Sequence, residues 1–334
     1  MDKPRRYRSF FWPIVLIGVG AIWLLANLNI ISIASLNSLL NLWPLILIVI
    51  GLNLLFGHQN PWAGAVIGAL AVGAVIAILV FGPALGLPTS SATQTPLVET
   101  FTTPLGNTTS ANFVLDLSSE PSDIHALNNS TDLIDAQIGH WGGTIDYSVT
   151  GNEAKSVHIS QISNPTNWFR FDFSFTSLKW DIGLSPRVPI DLTMDGGSGS
   201  VTADLTGLEL SSLQASMGSG SSKFTLPQSK TVYQAKIDSG SGSVNISLPA
   251  ATNLTLQLDS GSGSLNISLP AGAAVRVEVS DSGSGSLNLP GSLQSTGGSN
   301  TSGTGNWQSA GYDTASSRIL IQITSRGSGS INIH

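Results

Sequence analysis

The sequence predicts an α-helical membrane anchor of about three transmembrane helices, followed by an all-β domain built as a β-solenoid of 21–22-residue repeats. Two observations lead to this fold class. Residues 9–98 contain no Asp, Glu, Lys or Arg, and a Gly/Ser motif recurs at a fixed spacing in the second half of the chain. Charged residues make up 10% of the whole, whereas soluble domains average about a quarter. This composition argues against an ordinary cytosolic enzyme.

Three apolar runs at 11–28, 39–56 and 62–82 predict the transmembrane helices, all within residues 11–87. Each run has close to the roughly 20 residues that a helix needs to cross a bilayer. A cleaved signal peptide is the competing interpretation of the first run. The duplication of the first run argues against it, because residues 11–17 (FWPIVLI) reappear as 42–48 (LWPLILI) and no small-residue cleavage site follows.

The residues that flank and line these runs carry specific expectations. Proline suits the first turn of a helix, and tryptophan suits the headgroup layer of a membrane. The residues predicted at the membrane interface are Trp12, Pro13, Trp43, Pro44 and Trp62. Gly64 and Gly68 form a GxxxG step, which predicts a helix-packing contact.

The distribution of charge predicts an orientation. Residues 1–10 are basic through Lys3, Arg5, Arg6 and Arg8, so the N-terminus is expected in the cytoplasm. Three crossings then place the β-domain outside the membrane. The spans contain no ionisable group, which favours an anchor over a transport pathway. The lipid bilayer is thus an expected partner, while nineteen acidic against ten basic residues after residue 98 exclude nucleic acid.

The second part of the chain has a different period. Residues 88–110, rich in Pro, Thr and Ser, predict a linker, and residues 111–334 predict a repetitive β-domain in which apolar and polar residues alternate. The last serine of the Gly/Ser motif stands at 200, 221, 243, 264, 286 and 330. The final step of 44 is interpreted as a double period that absorbs a loop at 291–317. A constant period near 20 residues is typical of a solenoid; a β-sandwich is the alternative.

The repeat aligns polar side chains into two columns. Five residues before the motif serine stand four acids: Asp195, Asp238, Asp259 and Asp281. Such a column either accepts hydrogen bonds from the following turn or holds calcium, and turn capping is preferred because the known Gly-rich calcium nonapeptide is absent. Two residues after the serine stand four amides, which predict an outward hydrogen-bonded ladder: Asn245, Asn266, Asn288 and Asn332.

These parts resemble a known bacterial family. The paired Trp-Pro runs are similar to the LiaI/LiaF-like transmembrane region. The stretch 180–192 (WDIGLSPRVPIDL), followed by GSG at 197–199, DLTGL at 204–208 and Leu226-Pro227, resembles the C-terminal toastrack β-domain of LiaF-like cell-envelope stress proteins. The resemblance implies a non-enzymatic protein of the bacterial cytoplasmic membrane, with a membrane histidine kinase or another envelope protein as partner. A surface-exposed, adhesin-like module anchored in the membrane is the alternative function.

Motifs for chemistry are absent from the sequence. There is no cysteine, and His58, His125, His140, His158 and His334 lack the spacing of metal ligands. The nucleophile elbow G-x-S-x-G and the phosphate-binding P-loop are not found either. No catalytic, cofactor-binding or metal-binding residue is therefore predicted, and the protein is expected not to be an enzyme.

Overall fold

The structure, a computed structural model, describes residues 11–27, 43–56, 61–81, 96–117, 119–140, 143–162, 178–229, 231–281, 283–297 and 303–334. The described residues form two compact units, a helical unit and a β-domain that begins at Pro96.

The helical unit contains α1 (Phe11–Asn27), α2 (Trp43–Phe56) and α3 (Pro61–Phe81). A proline lies in the first turn of each helix, where a missing N–H costs no intrahelical bond. Helix α3 contacts both other helices, and Gly18 of α1 lies so close to Val72 that a Cβ there would clash.

The structure supports the prediction that the three apolar runs form helices, but it does not support the prediction that they span a membrane. The helices coincide with the three predicted runs, except that residues 28, 39–42 and 82, like 1–10, lie outside the described parts of the chain. Within the described residues, no helix is both long and apolar enough to cross a membrane.

The described strands of the β-domain form two sheets. In spatial order, the ten-stranded sheet contains β1 (Leu97–Pro104), β4 (Asp132–His140), β7 (Trp180–Leu184), β3 (Ser122–Ala126), β9 (Val201–Asp204), β11 (Ser221–Thr225), β13 (Ser243–Ser247), β15 (Ser264–Ser268), β21 (Ser330–Ile333) and β17 (Ser286–Asn288). The eleven-stranded sheet contains β18 (Leu293–Gly297), β19 (Gly305–Ser309), β16 (Val275–Val279), β20 (Ile319–Ser325), β14 (Leu254–Ser260), β12 (Tyr233–Ser239), β10 (Glu209–Met217), β8 (Pro189–Gly196), β2 (Ser110–Leu117), β6 (Ala154–Ile162) and β5 (Thr144–Thr150).

From β8 to β17 the chain alternates between the two sheets, so that each Gly/Ser repeat contributes one strand to each. Successive strands within a sheet are parallel and in register, as in the pairing of Leu256 with Ala235 and of Ile246 with Ile267. We call one such pair of strands with its turns a coil. A conventional sandwich has antiparallel sheets, so this pairing differs from the alternative considered above.

The first part of the β-domain, β1–β7, is arranged differently. Antiparallel pairs join β1 to β4, β4 to β7 and β5 to β6. Strand β1 lies inside the segment predicted as linker, so the β-domain starts earlier than expected. The β-branched residues Val98, Thr100 and Thr102, which alternate on one face of β1, explain why this stretch pairs as a strand.

The last coil is the main departure from the predicted repeat. Strand β20 lies between β14 and β16, and β21 lies between β15 and β17. The coil of β16 and β17 is therefore displaced outward, and the chain's final coil fills the space beside it. The step of 44 is thus not a double period in space. The loop expected at 291–317 contains β18, β19 and a 3-10 turn at Tyr312–Thr314.

Side chains that point between the sheets form one hydrophobic core. In the eleven-stranded sheet the register aligns Phe113, Leu192, Leu213, Ala235 and Leu256, all at most 3% exposed. Burial of such aliphatic columns stabilises each coil through its neighbours, because no coil covers its own apolar side chains.

Close stacking of the coils explains the glycines of the motif. A Cβ on Gly242 or Gly263 would clash with the carbonyl oxygen of the equivalent glycine one coil earlier, Gly220 or Gly242. Positive φ, another reason why a position requires glycine, occurs among the described motif glycines only at Gly283 and Gly327. Backbone contact between coils, more than turn geometry, therefore requires glycine here.

Candidate functional site

The outer face of the ten-stranded sheet carries the predicted amide ladder, which the structure confirms. Asn266 donates to Asn245 at 3.0 Å, Asn332 donates to Asn266 at 3.0 Å, and Asn288 donates to Asn332 at 2.7 Å. The order 245, 266, 332, 288 follows the inserted last coil. The result is a regular, uncharged polar row across four strands.

The outer face of the eleven-stranded sheet carries the predicted acidic column. Asp238 lies directly opposite Asp259, whereas Ser216 separates Asp195 from Asp238, and Asp116 faces Asp195. Ser325 is the next residue of the column beyond Asp259. Like charges on neighbouring strands repel one another, so Asp238 and Asp259 destabilise the sheet locally.

Neither interpretation of the acidic column receives general support. Turn capping occurs at Asp281, which accepts a weak bond of 3.5 Å from the Gly283 N–H. No hydrogen bond joins Asp195, Asp238 or Asp259 to a turn within the described residues. In the same parts of the chain, no three His, Asp or Glu side chains lie close enough together to hold a metal ion.

A small charged cluster occupies the same outer face as the amide ladder, on β3, on β7 and at the residue before β7. Lys179 forms an ion pair with Asp123, and His125 Nδ1 lies 3.5 Å from Asp181 Oδ1. The hydrogen bond that Lys179 donates to Asp123 raises the pKa of Lys179, with a smaller opposing effect of burial. Because the cluster mixes both signs, it offers no strong field for a charged ligand.

The two edge strands at the start of the β-domain, β1 and β5, form what we call the first end. Their aromatic rings Phe101 and Tyr147 stack at 4.9 Å, and the hydroxyls of Thr103 and Tyr147 are 2.6 Å apart. Burial raises the pKa of Tyr147, and the bond to Thr103 opposes this rise. The stack joins the edges of the two sheets.

Polar contacts also hold β1 in place. The fully buried His140 has its Nε2 3.3 Å from Glu99 Oε1, and Lys155 Nζ donates to the carbonyl oxygen of Pro104 at 2.8 Å. Strand β1 is thus fixed at both ends although, among the described strands, it pairs with β4 alone. Its eight residues include no lysine, and Val98 is 64% exposed.

The opposite end of the two sheets is built differently. Its edge strands are β17, with three residues, and β18, whose register is irregular between Ser295 and Gly297. Short or irregular edges are common ways in which proteins prevent unwanted strand pairing. The edge of β1 is neither short nor irregular along most of its length, so its backbone is suited to accept another strand.

The remaining predicted residues occupy the helical unit or single positions in the β-domain. Trp12, Pro13 and Trp62 are exposed, Trp43 and Pro44 begin α2, and Gly64 and Gly68 are buried. His334 contacts Ser268 at 3.1 Å, and His158 lies on β6; His58 is outside the described residues. The described histidines therefore do not converge on one site.

The free edge of β1 was missed from the sequence. The prolines at 96 and 104 suggested a linker, although the alternating β-branched residues between them already indicated a strand. Side-chain period alone does not say whether such a strand lies at an edge or in the middle of a sheet.

The fold and its surfaces define a class of protein: a helical region joined to a two-sheet β-domain that offers strand edges and polar faces. Residues 10–55 match the family described as the LiaI-LiaF-like transmembrane region, and residues 94–247 match Toast_rack_N, the N-terminal domain of toast_rack. Both matches agree with the resemblance that the sequence predicted, a LiaI-LiaF-like region followed by a toast-rack domain.

Comparisons with individual proteins add little to this assignment. Among curated proteins, none is significantly similar to this chain. A candidate cell adhesion protein from Clostridium sporogenes is 19% identical, with a TM-score of 0.49, over 72% of this chain and 99% of its own. A candidate adhesin from Bacteroides fragilis is 9% identical, with a TM-score of 0.26 and the same coverage. Both scores are too low to establish a common fold.

Proposed function

We propose that this chain is a non-enzymatic regulatory protein of the bacterial cell envelope that acts through protein–protein contacts. The combination of a LiaI-LiaF-like transmembrane region with a toast-rack domain supports this proposal. The helical region anchors the chain in the cytoplasmic membrane with the basic N-terminus inside. The β-domain, a β-solenoid with antiparallel strands at its ends, extends on the outer side and contacts a membrane histidine kinase or another envelope protein.

The proposed contact is the free edge of β1. A partner segment in an extended conformation would pair with the unpaired N–H and C=O groups of this strand, and the exposed Val98 would lie under it. Strand β1 is the first described strand after the helical region in sequence.

The test replaces an exposed valine of the edge by a lysine. Val98→Lys should reduce co-purification of the partner with the detergent-extracted full-length chain, because a charge on an edge strand disfavours strand pairing. Val232→Lys is the matched control, since Val232 is 70% exposed and lies outside an edge strand. Equal loss with both variants, or no loss with Val98→Lys, would reject the edge as the contact.

Orientation has a separate test, because the chain contains no native cysteine. Ser219→Cys, in an exposed turn of the β-domain, should react with a membrane-impermeant thiol reagent on intact cells. Labelling only after lysis would place the β-domain in the cytoplasm and remove the envelope role.

A second candidate function is a surface structural or adhesive module. The amide ladder favours it, because a regular, uncharged row of amides across four strands is suited to contact with a repetitive surface. Asn266→Lys should abolish adhesion of cells that produce the chain if this face binds, whereas Val98→Lys should leave adhesion unchanged. The regulatory proposal predicts the opposite result for partner binding, which Val98→Lys should reduce and Asn266→Lys should leave unchanged.

A further inference from the structure

The order of the coils in space differs from their order in the chain, and this difference carries a consequence beyond the proposed function. Residues 319–334 form the last coil and lie between two coils that are formed earlier in the sequence. The partners of this segment on its two sides are 66 and 44 residues away along the chain. It lies outside both matched family regions.

The last coil fills its place completely. Ile319, Ile321, Ile323, Ile331 and Ile333 are each at most 3% exposed, and both strands are paired on both sides. Without this coil, four strand edges would lose their partners and a gap of about 10 Å, two strand spacings, would separate β14 from β16. The rest of the β-domain therefore presents a slot whose complement is residues 319–334.

The segment that leads into the last coil has length to spare. Residues 310–318 connect β19 to β20, which are two strand spacings, roughly 10 Å, apart because only β16 lies between them. Nine extended residues reach about 30 Å. This connection, which we call the hinge, therefore allows the last coil to enter either the slot of its own chain or that of a neighbouring copy.

Arg276 on β16 holds the hinge against its own chain. Its guanidinium lies 4.4 Å from the ring centre of Tyr312 and donates to Asp313 at 2.9 Å. Tyr312 is itself buried, so the hinge is held against β16 by packing as well as by an ion pair. We call the conformation in which the hinge is folded back on its own chain the closed form. Loss of Arg276 would remove contacts that exist only in this form.

We propose that the last coil exchanges between two copies of this chain, giving a swapped dimer in which Arg276 favours the closed monomer. The occupant of the slot is residues 319–334 of the second copy, because the same side chains and backbone groups meet the same partners in either form. Copies anchored in one membrane are held at a high effective concentration, which favours exchange. Swapping through a hinge is a low-cost route to dimers.

The test uses full-length chains with single cysteines, since the native chain has none. One copy carries Asn266→Cys and a differently tagged copy carries Asn332→Cys; these side chains are hydrogen-bonded at 3.0 Å across the slot. If the coil exchanges, oxidation should join the two copies into a covalent heterodimer. The control combines Asn245→Cys with Asn266→Cys, which are also 3.0 Å apart but lie on coils that do not exchange.

A heterodimer that forms severalfold more with the first pair than with the control supports exchange. No heterodimer, or equal amounts with both pairs, would overturn it. A chain with both Asn266→Cys and Asn332→Cys should form an internal disulfide in its closed form, and failure to do so would contradict the inserted coil itself.

Arg276→Gln should raise the heterodimer fraction about twofold to fivefold, as expected from loss of a cation–π contact. Lys236→Gln, on β12 and away from the hinge, should leave it unchanged.

Discussion

The coils from β8 onward and the first part of the β-domain, β1–β7, share one core but achieve their order differently. The coils stack like on like, asparagine on asparagine and glycine on glycine. The first part joins unlike residues, such as Trp180, whose Nε1 donates to the Gly139 carbonyl at 3.2 Å. Like-on-like stacking fixes the register of a strand but not which neighbour it takes. This ambiguity is what permits the last coil to lie between two others.

The largest expected effects come from the core that the two regions share. Ile246→Ala in the coils and Ile182→Ala in the first part should each lower the free energy of unfolding by about 2–5 kcal/mol, because both side chains are fully buried. Asn266→Ala on the outer face should cost under about 1 kcal/mol. Denaturant unfolding of the three variants measures these values; an outer-face cost as large as the core costs would contradict the observed face assignment.

Much of this fold could be predicted from the sequence. The period located the coils, their inward residues and the amide ladder, because each depends on local alternation. The position of the last coil could not be predicted, because the asparagines of the repeat are interchangeable as hydrogen-bond partners. Asn332 bonds to both Asn266 and Asn288, so the side chains do not specify the order in which the coils stack. Strand β1 was missed because its flanking prolines matched a linker, and the Arg276 contact with Tyr312 depends on a long-range fold that no local pattern encodes.

Alanine in place of glycine sharpens the contrast between the regions. Gly263→Ala should cost about 1–3 kcal/mol or more, because the new Cβ meets the backbone carbonyl of Gly242, which cannot move alone. Gly183→Ala in the first part meets the flexible side chain of Leu127, so its cost should be smaller. Gly291→Ala has open space and serves as the control. Thermal unfolding ranks the three, and a neutral Gly263→Ala would mean that the coils are not closely stacked.

Removal of one negative charge should change the free energy of unfolding in opposite directions in the two regions. Asp259→Asn relieves repulsion from Asp238 and should stabilise the chain by about 0.2–1 kcal/mol. Asp123→Asn removes the ion pair with the half-exposed Lys179 and should destabilise by about 0–1 kcal/mol. Both effects should shrink as salt is raised.

Calcium provides the control for the acidic column. If the column binds no calcium, millimolar calcium should shift the melting temperature no more than sodium chloride of equal ionic strength does. A calcium-specific rise that Asp259→Asn abolishes would restore the metal interpretation by mass action.

The last expected effect is a pH dependence that comes from the buried tyrosine of the coils. Tyr233 donates its hydroxyl to the Pro227 carbonyl at 2.9 Å, and burial raises its pKa above the ordinary value of about 10. Between the unfolded and folded pKa values the folded chain holds a proton that the unfolded chain has lost, so stability should fall as pH rises above about 10. Tyr233→Phe should cost about 1 kcal/mol at pH 7 through the lost hydrogen bond but flatten this alkaline decline. Tyr147→Phe in the first part should flatten it less, because the Thr103 bond already opposes the rise in the pKa of Tyr147. Equal slopes for the two variants across pH 9 to 11 would show that the coils bury their tyrosine no more effectively than the first end does.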